Sequence, residues 1–182
     1  MIELISDQLA GHDVETTATF RIVDEGVRFG VTSDEGDGDG WPAIRTAILD
    51  AQILVLATPI WLGHPSSVCQ MVLERLDAFI SETDDKDRPI AWDRVAVVGV
   101  VGNEDGAHHC ISEIAGAAID LGLTIPGQAW TYWNKGPGPG EEEYRTTDDR
   151  DWTHATGDTM AHVLAHTATA LKTTPIPKPP DA

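Results

Sequence analysis

Residues 53–75, ILVLATPIWLGHPSSVCQMVLER, decide the fold of this chain of 182 residues. The opening run ILVLAT is continuously apolar, which is typical of a strand covered on both faces of a sheet. After the loop 59–67, apolar residues recur at helical spacing, and this pattern predicts a long amphipathic helix over Val68, Val72, Leu76 and Phe79 or Ile80. The stretch therefore predicts one strand–loop–helix unit of an α/β sheet.

A second unit of the same kind lies further along the chain. Val95–Val101 is again fully apolar and β-branched, 102–106 is a short loop, and a helix with apolar positions from Ile111 to Ile119 closes at Gly122. Ligands of an open parallel sheet bind beyond the carboxyl ends of its strands. The loops 58–67 and 102–109 are therefore the best candidates for a binding site.

The rest of the chain continues the alternation of helices and strands within one predicted domain, 1–174. Helices are predicted over Ile2–Leu9 (capped by Gly11), Pro42–Asp50 and Met160–Leu171, strands over Val14–Val23 and Thr124–Trp133, and a polar, glycine-rich loop over Val31–Gly40. Pro126 cannot donate a hydrogen bond within a sheet, so its strand is predicted at an edge. The Pro-rich end, 175–182, is predicted to be an extended or disordered tail.

Composition excludes several classes of function. The chain has 12 Lys and Arg against 30 Asp and Glu, a formal charge of −18, so neither nucleic acid nor an anionic membrane surface is an expected partner. Strong acidity keeps a protein soluble at high salt, so we expect a halophilic source. Cys69 and Cys110 signal neither a disulfide framework nor a thiolate metal site. The first residues do not form a signal peptide, and a cytoplasmic location is expected.

The loop that follows the first apolar strand carries a resemblance to a known family. Its Thr-Pro-Ile-Trp element, glycine and Pro-Ser step resemble the flavodoxin-like NAD(P)H-dependent FMN reductases. This resemblance implies an open, doubly wound parallel sheet of order 2-1-3-4-5 in three layers, α/β/α, with FMN as cofactor and NAD(P)H as electron donor. It also implies that homo-oligomers form, in which aromatic residues of a neighbour would help to close the flavin site.

The first loop provides the surface that a flat isoalloxazine ring needs. Pro59 stiffens the turn and Gly63 permits close approach of the backbone. Trp61 has an alternative role, packing on a neighbouring helix, and Ser66 or Ser67 is suited to capping the next helix. The cofactor-binding residues predicted here are Thr58, Pro59, Ile60, Trp61, Leu62, Gly63 and Ser66.

The second loop, VGNEDGAHH, lies where the resembled family places its other flavin-contacting loop. Asn103 offers both a donor and an acceptor to the pyrimidine edge of a flavin. Asp105 is equally suited to capping the following helix. The adjacent His108 and His109 would point in different directions on a helix, so one of them could meet the flavin; the alternative is that both are exposed to solvent. The predicted cofactor-binding residues are Gly102, Asn103, Glu104, Asp105, Gly106 and His108.

Four other patterns in the sequence allow a functional interpretation. His162 and His166 have the spacing of paired metal ligands but lack a third ligand in sequence. The acidic run Ser33–Asp39 fails the register of a calcium loop, so a solvated loop is predicted. Gly63–Ser67 does not match a serine-hydrolase elbow. The cluster Trp130–Trp133 is suited either to roofing a flavin or nicotinamide or to packing in a core or dimer interface.

One part of the family pattern is missing from this sequence. The resembled family opens with a strand and a Ser/Thr/Gly-rich loop that binds the FMN phosphate, and this chain begins within the helix that follows. That strand would lie in the middle of the sheet. Either the recorded start lies downstream of the true one, which is the expectation we favour, or the sheet is rearranged and weakened.

The resemblance implies an FMN-dependent oxidoreductase that passes a hydride from NAD(P)H through the flavin to a small-molecule electron acceptor, such as free flavin or a quinone. Flavin supplies this chemistry itself, so no catalytic acid or nucleophile of the protein is expected. Two alternatives remain: a flavodoxin-like electron carrier without NAD(P)H activity, and a chain that no longer binds flavin.

Overall fold

The two apolar runs are parallel neighbours in the sheet of the computed structural model, which describes residues 1–180. Strand β1 is Ile53–Trp61, β2 is His64–Pro65, β3 is Val95–Gly102 and β4 is Trp130–Asn134, and their order is β2-β1-β3-β4. β1, β3 and β4 are parallel, and the short β2 is antiparallel to β1. The predicted open, mostly parallel sheet is confirmed.

Helices cover both faces of this sheet. α1 (Ile2–Ala10) and α5 (Asp151–Thr173) lie on one face, and α2 (Trp41–Asp50), α3 (Ser67–Leu76) and α4 (Ala107–Asp120) lie on the other. Along β3, Val95 and Val97 pack under α1 and α5, whereas Val98 and Val100 pack on the opposite side. Burial on both faces explains why this strand has no polar positions, and the three predicted layers are confirmed.

The predicted strand Val14–Val23 is wrong. Residues 14–21 have no regular secondary structure and are mostly exposed, and the segment ends in a short 3-10 helix at Ile22–Asp24. The β-branched content suits a strand, but strand structure requires a neighbour to share backbone hydrogen bonds. Among residues 1–180 no strand pairs with this segment.

Several predicted boundaries also shift. β1 continues through Pro59 to Trp61, so the predicted loop there is shorter and becomes a tight hairpin to β2. α3 ends at Leu76 and is followed by a 3-10 helix, Asp77–Ser81. β4 is an edge strand as predicted, but it begins at Trp130 and leaves Pro126 outside it.

The acidic loop before α2 is not simply solvated, which corrects the prediction for Ser33–Asp39. The side chains of Asp39 and Arg75 are both fully buried and form an ion pair at 2.8 Å. Burial alone would raise the pKa of Asp39, but hydrogen bonds from the backbone amides of Glu35, Trp41 and Arg28 and from Arg75 hold it well below its ordinary value. The loop is therefore anchored on α3.

The C-terminal part begins with α5, which packs along α1 and is the longest helix of the described residues, with 23 residues. Beyond it, the predicted tail is held at Ile176: its carbonyl accepts from Arg88 at 2.8 Å and its amide donates to Asp93 at 2.8 Å. Residues 181–182 of the predicted tail lie outside the described residues. Within residues 1–180 no helix combines the length and apolar character needed to cross a bilayer.

Candidate functional site

A cavity of about 540 Å³ lies beyond the carboxyl ends of β1, β3 and β4. This volume and position are those of a small-molecule site in an open α/β sheet. The cavity is lined by Met1, Ile2, Ala57, Thr58, Pro59, Ile60, Trp61, Val101, Gly102, Asn103, Trp133, Glu143, Tyr144 and Arg145. Six of the predicted cofactor-binding residues, Thr58 to Trp61 with Gly102 and Asn103, are thus together in one wall.

Trp61 extends from the end of β1 into solvent at the edge of this cavity. Trp61 is 63% exposed, whereas the neighbouring Ile60 is only 3% exposed. The alternative, that Trp61 packs on a neighbouring helix, is therefore not what the structure shows. An exposed indole beside an apolar cavity is available to a bound ring.

Thr58 and Ser66 use their hydroxyl groups on each other and on the backbone. The Ser66 amide donates to Thr58 Oγ1 at 3.0 Å, the two hydroxyls are 3.2 Å apart, and Ser66 Oγ accepts from the Cys69 amide at 3.1 Å. Ser66 is therefore the N-cap of α3, as one of the two sequence interpretations had it. Ser66 does not line the cavity, and a contact with a cofactor stays a prediction.

The two predicted loops contact each other directly. The hairpin between β1 and β2 turns through Leu62 and Gly63, both with positive φ (54° and 78°), and the Leu62 amide donates to Glu104 Oε1 at 2.9 Å. A Cβ atom on Gly106 would lie 2.7 Å from Gly63 Cα. Glycine at Gly106 therefore permits the second loop to approach the first, although none of these four residues lines the cavity.

The second loop is held from its other side by residues 135–140. Asn103 Nδ2 donates to the Gly140 carbonyl at 3.0 Å, and the Gly140 amide donates back to the Asn103 carbonyl at 2.8 Å. The alternative role of Asp105 as a helix cap is wrong, because the N-cap of α4 is Gly106 with φ 117° and no side-chain cap bond. Asp105 instead packs against Gly136.

His108 and His109 point to different neighbours, and both are exposed, as one sequence interpretation proposed. The His108 ring meets Trp130 and Tyr132 edge-on, with centroids 5.7 and 5.2 Å away, outside the cavity. The suggested pair His162 and His166 gains no third ligand within residues 1–180, and the His162 ring packs on His12 instead.

Sequence reasoning missed the wall that residues 143–145 build. Tyr144 packs edge-on against Trp133 at 5.8 Å, and Trp133 Nε1 donates to the Asp149 carbonyl at 2.9 Å. Burial raises the pKa of Tyr144, so the phenol remains a hydrogen-bond donor at neutral pH. The sequence offered one sign of this wall, Trp133 in the aromatic cluster Trp130–Trp133. The wall residues themselves lie in the acidic sequence GEEEYR, which is typical of a solvated loop.

One end of the cavity is suited to an anion. α1 begins there at Ile2, its first turn has no side-chain cap, and Arg145 lines the same end. Amides at a helix N-terminus and a guanidinium are the groups that bind phosphate. Apolar and aromatic side chains, among them Ile60, Trp61 and Trp133, also line the cavity, so it suits a molecule with a flat ring system and an anionic tail.

The two cysteines do not provide a nucleophile. Cys69 and Cys110 are buried, and burial raises the pKa of each thiol to about 11. Both thiols are therefore neutral at physiological pH. A neutral thiol is a poor nucleophile, because the thiolate is the reactive form.

Known proteins match this chain as follows. The model of the family of NADPH-dependent FMN reductases matches residues 1–136. The chain is 36% identical over 179 residues, 94% of its length, to the divalent metal cation transporter MntH of Mycobacterium bovis, of which it covers 26%. It is 36% identical over 104 residues, 56% of its length, to the 8-demethyl-8-aminoriboflavin-5'-phosphate synthase of Streptomyces davaonensis, of which it covers 40%. The chain thus spans about a quarter and two fifths of these two relatives.

A solved structure resembles this one over nearly its whole length. RosB, crystallised with the intermediate 8-demethyl-8-formylriboflavin-5'-phosphate, superposes with a TM-score of 0.84 at 28% identity, covering 96% of this chain and 73% of that one. The predicted flavodoxin-like fold is thereby confirmed.

Proposed function

Since this chain belongs to the family of NADPH-dependent FMN reductases, a family of flavin-dependent oxidoreductases, we propose that the cavity binds FMN and that the protein passes a hydride from NAD(P)H to a small acceptor. One observation carries the proposal. The cavity joins an aromatic wall to an end with a helix N-terminus and Arg145, which suits a flat ring with a phosphate tail. Bound flavin would supply the electron-transfer chemistry, and the protein would orient it.

In this proposal, different residues of the cavity would contact the phosphate and the ring system of FMN. The first-turn amides of α1 and the Arg145 guanidinium would hold the phosphate. Pro59 to Trp61 and Trp133 would contact the ring system, and the backbone at Gly102 and Asn103 would face its polar edge. The hydroxyl of Tyr144 would donate a hydrogen bond within the same cavity.

The donor and the acceptor would bind in turn at the open side of the cavity. Trp61 lines the cavity and is 63% exposed, and the next residue, Leu62, lies outside the lining and is 90% exposed. Exposed apolar groups beside a cavity are available to a second molecule, such as a nicotinamide, a free flavin or a quinone. A flavodoxin-like electron carrier and a chain without flavin are the alternatives that the experiment below separates.

A specific observation favours a second candidate function. RosB holds a modified riboflavin phosphate on the same fold, and the Streptomyces davaonensis relative is named as a synthase of such a compound. In this alternative, riboflavin phosphate is the substrate of the chain rather than its resident cofactor. Mass spectrometry of the flavin recovered after incubation separates the two functions, because a cofactor returns unchanged.

Titration with FMN and with riboflavin tests the binding proposal. A charge-assisted hydrogen bond contributes roughly 1.5–3 kcal/mol, so Arg145→Ala should weaken FMN binding by about tenfold to a hundredfold and leave riboflavin binding unchanged. Arg21→Ala is the matched control, because Arg21 is an exposed arginine paired with Asp24 and does not line the cavity. Equal affinities of Arg145→Ala and wild type for FMN would overturn the placement of the phosphate.

Steady oxidation of NAD(P)H by the FMN-loaded chain then tests the reaction. Turnover with quinone or free flavin supports the reductase. Flavin that binds and is not reduced by NAD(P)H indicates the electron carrier, and absence of FMN binding by the folded chain indicates that the flavin reading fails.

A further inference from the structure

Three side chains that can bind a transition metal lie close together on the surface: His64, His109 and Glu113. His64 lies on β2, and His109 and Glu113 lie one turn apart on α4. His64 Nδ1 is 3.1 Å from His109 Nε2, and Glu113 Oε1 is 3.5 Å from the first nitrogen and 3.1 Å from the second. We propose that these side chains form a three-ligand site for a divalent transition metal of the Zn²⁺ class.

The distances between the three ligand atoms agree with those between ligands of a tetrahedrally coordinated metal ion. With bonds of about 2.0–2.1 Å, as Zn²⁺ makes to imidazole nitrogen and carboxylate oxygen, tetrahedral ligands lie about 3.3–3.4 Å apart. The three observed separations, 3.1, 3.1 and 3.5 Å, lie on both sides of that value. A metal equidistant from the three atoms would make ligand–metal–ligand angles of roughly 98–117°, compared with about 109° for a regular tetrahedron.

The chemistry of the ligands selects the class of metal. Two imidazoles and one carboxylate suit Zn²⁺, Cu²⁺ or Ni²⁺, whereas Ca²⁺ and Mg²⁺ prefer shells built of oxygen alone. The fourth position faces solvent, because all three residues are exposed. Three protein ligands and an open position are typical of reactive rather than purely structural zinc sites.

Two imidazole nitrogens and a carboxylate oxygen, each able to donate a lone pair, face one another in this cluster. A metal ion would accept a lone pair from all three atoms at once. The net charge of −18, with Glu104 on the adjoining loop, favours a dication further.

The metal would join the two loops at the edge of the cavity. His64 follows the turn Leu62–Gly63 and pairs with Trp61, which lines the cavity, whereas His109 lies in the first turn of α4. Metal binding would therefore fix the hairpin to α4. The site rests on these three side chains and does not depend on the proposed flavin function.

Titration of the untagged protein with Zn²⁺ against a chromogenic chelator tests the site. We expect one Zn²⁺ per chain, with affinity at least about tenfold weaker in each of His64→Ala, His109→Ala and Glu113→Gln. His166→Ala is the matched control, since it removes an exposed histidine of α5 and should leave the affinity unchanged. All substituted side chains are exposed, so the variants should fold.

Two further measurements give readouts beyond affinity. Co²⁺ bound to wild type should show the intense visible bands of a four-coordinate ion, and these should be absent from Glu113→Gln. Zn²⁺ should also slow amide hydrogen exchange over residues 61–64 in wild type only. Zn²⁺ binding that is absent, or equal in wild type and the three variants, would overturn the proposal and leave a hydrogen-bonded cluster.

Discussion

The turn between β1 and β2 stores backbone strain that a single substitution should release. Leu62 has φ 54° and a side chain that is 90% exposed, so it has little burial to offset its conformation. A left-handed conformation costs a residue with a Cβ roughly 1–2 kcal/mol, and asparagine followed by glycine is the preferred pair in such turns. Leu62→Asn should therefore stabilise the fold by about 1 kcal/mol, which raises the melting temperature of a chain of this size by about 2–4 °C.

Thermal unfolding monitored by circular dichroism measures this change. Leu62→Ala is the control, because alanine removes the same apolar surface but keeps the unfavourable φ, and its stability should stay within about 0.5 kcal/mol of wild type. A melting temperature of Leu62→Asn at or below that of wild type would refute the reasoning. Equal gains in both variants would refute it as well, because they would trace the gain to lost exposed apolar surface.

The same two variants also test the functional use of Leu62. Strain of this kind often persists at sites where function requires it. If the exposed leucine contacts a donor or acceptor under the proposed function, both variants should raise KM for that molecule with little change in kcat. A KM unchanged in both would remove Leu62 from the proposed binding surface.

Three further predictions concern the elements around the site. Arg75→Met should lower the free energy of unfolding by about 3–5 kcal/mol in urea titrations, because it leaves Asp39 buried without its partner. Hydrogen bonding, first from the Arg88 backbone amide, lowers the pKa of Asp84 to about 2. The ionised carboxylate therefore stabilises the fold above about pH 4, and this stabilisation is lost as the pH falls towards 2. Asp84→Asn should show a weaker fall of the urea midpoint over that range. Gly106→Ala should destabilise more than Gly63→Ala and weaken FMN binding, because both residues have positive φ but only at Gly106 does a Cβ meet backbone; equal losses of stability would contradict this.

The parts of the fold that follow from sequence are those whose pattern depends on local burial. The run Val95–Val101 is apolar because both faces of β3 are covered, and α2 begins near Pro42 as a helix start requires. Val14–Val23 has equally suitable side chains and is not a strand. Whether such a segment joins a sheet depends on a neighbouring strand, which the side chains of the segment itself do not specify.

The candidate site likewise has a part that follows from local sequence patterns and a part that depends on contacts between distant segments. The strand ends identify Thr58–Trp61 and Gly102–Asn103, because carboxyl ends of parallel strands meet at one edge of the sheet. The wall at Tyr144 and the metal cluster of His64 with His109 join residues that are far apart in sequence. Spacing rules detect ligands within one helix or loop, so they indicate His162 and His166 and cannot connect His64 with α4.

The polar side chains of the two predicted loops bond mainly within a loop, between the two loops and to the segment at Gly140. Thr58 binds Ser66, Glu104 binds the Leu62 amide, and Asn103 binds Gly140. These bonds fix the loop backbones, so under the proposed function contacts to a ligand would come from backbone amides, aromatic surfaces, the Tyr144 hydroxyl and Arg145. Substituting such a polar residue would then weaken binding by releasing the loop, whose ordering a ligand would have to restore at a cost in entropy. Under the proposed function, positioning by polar side chains and contact by backbone and rings would together let this fold bind a flavin without a conspicuous set of polar ligands.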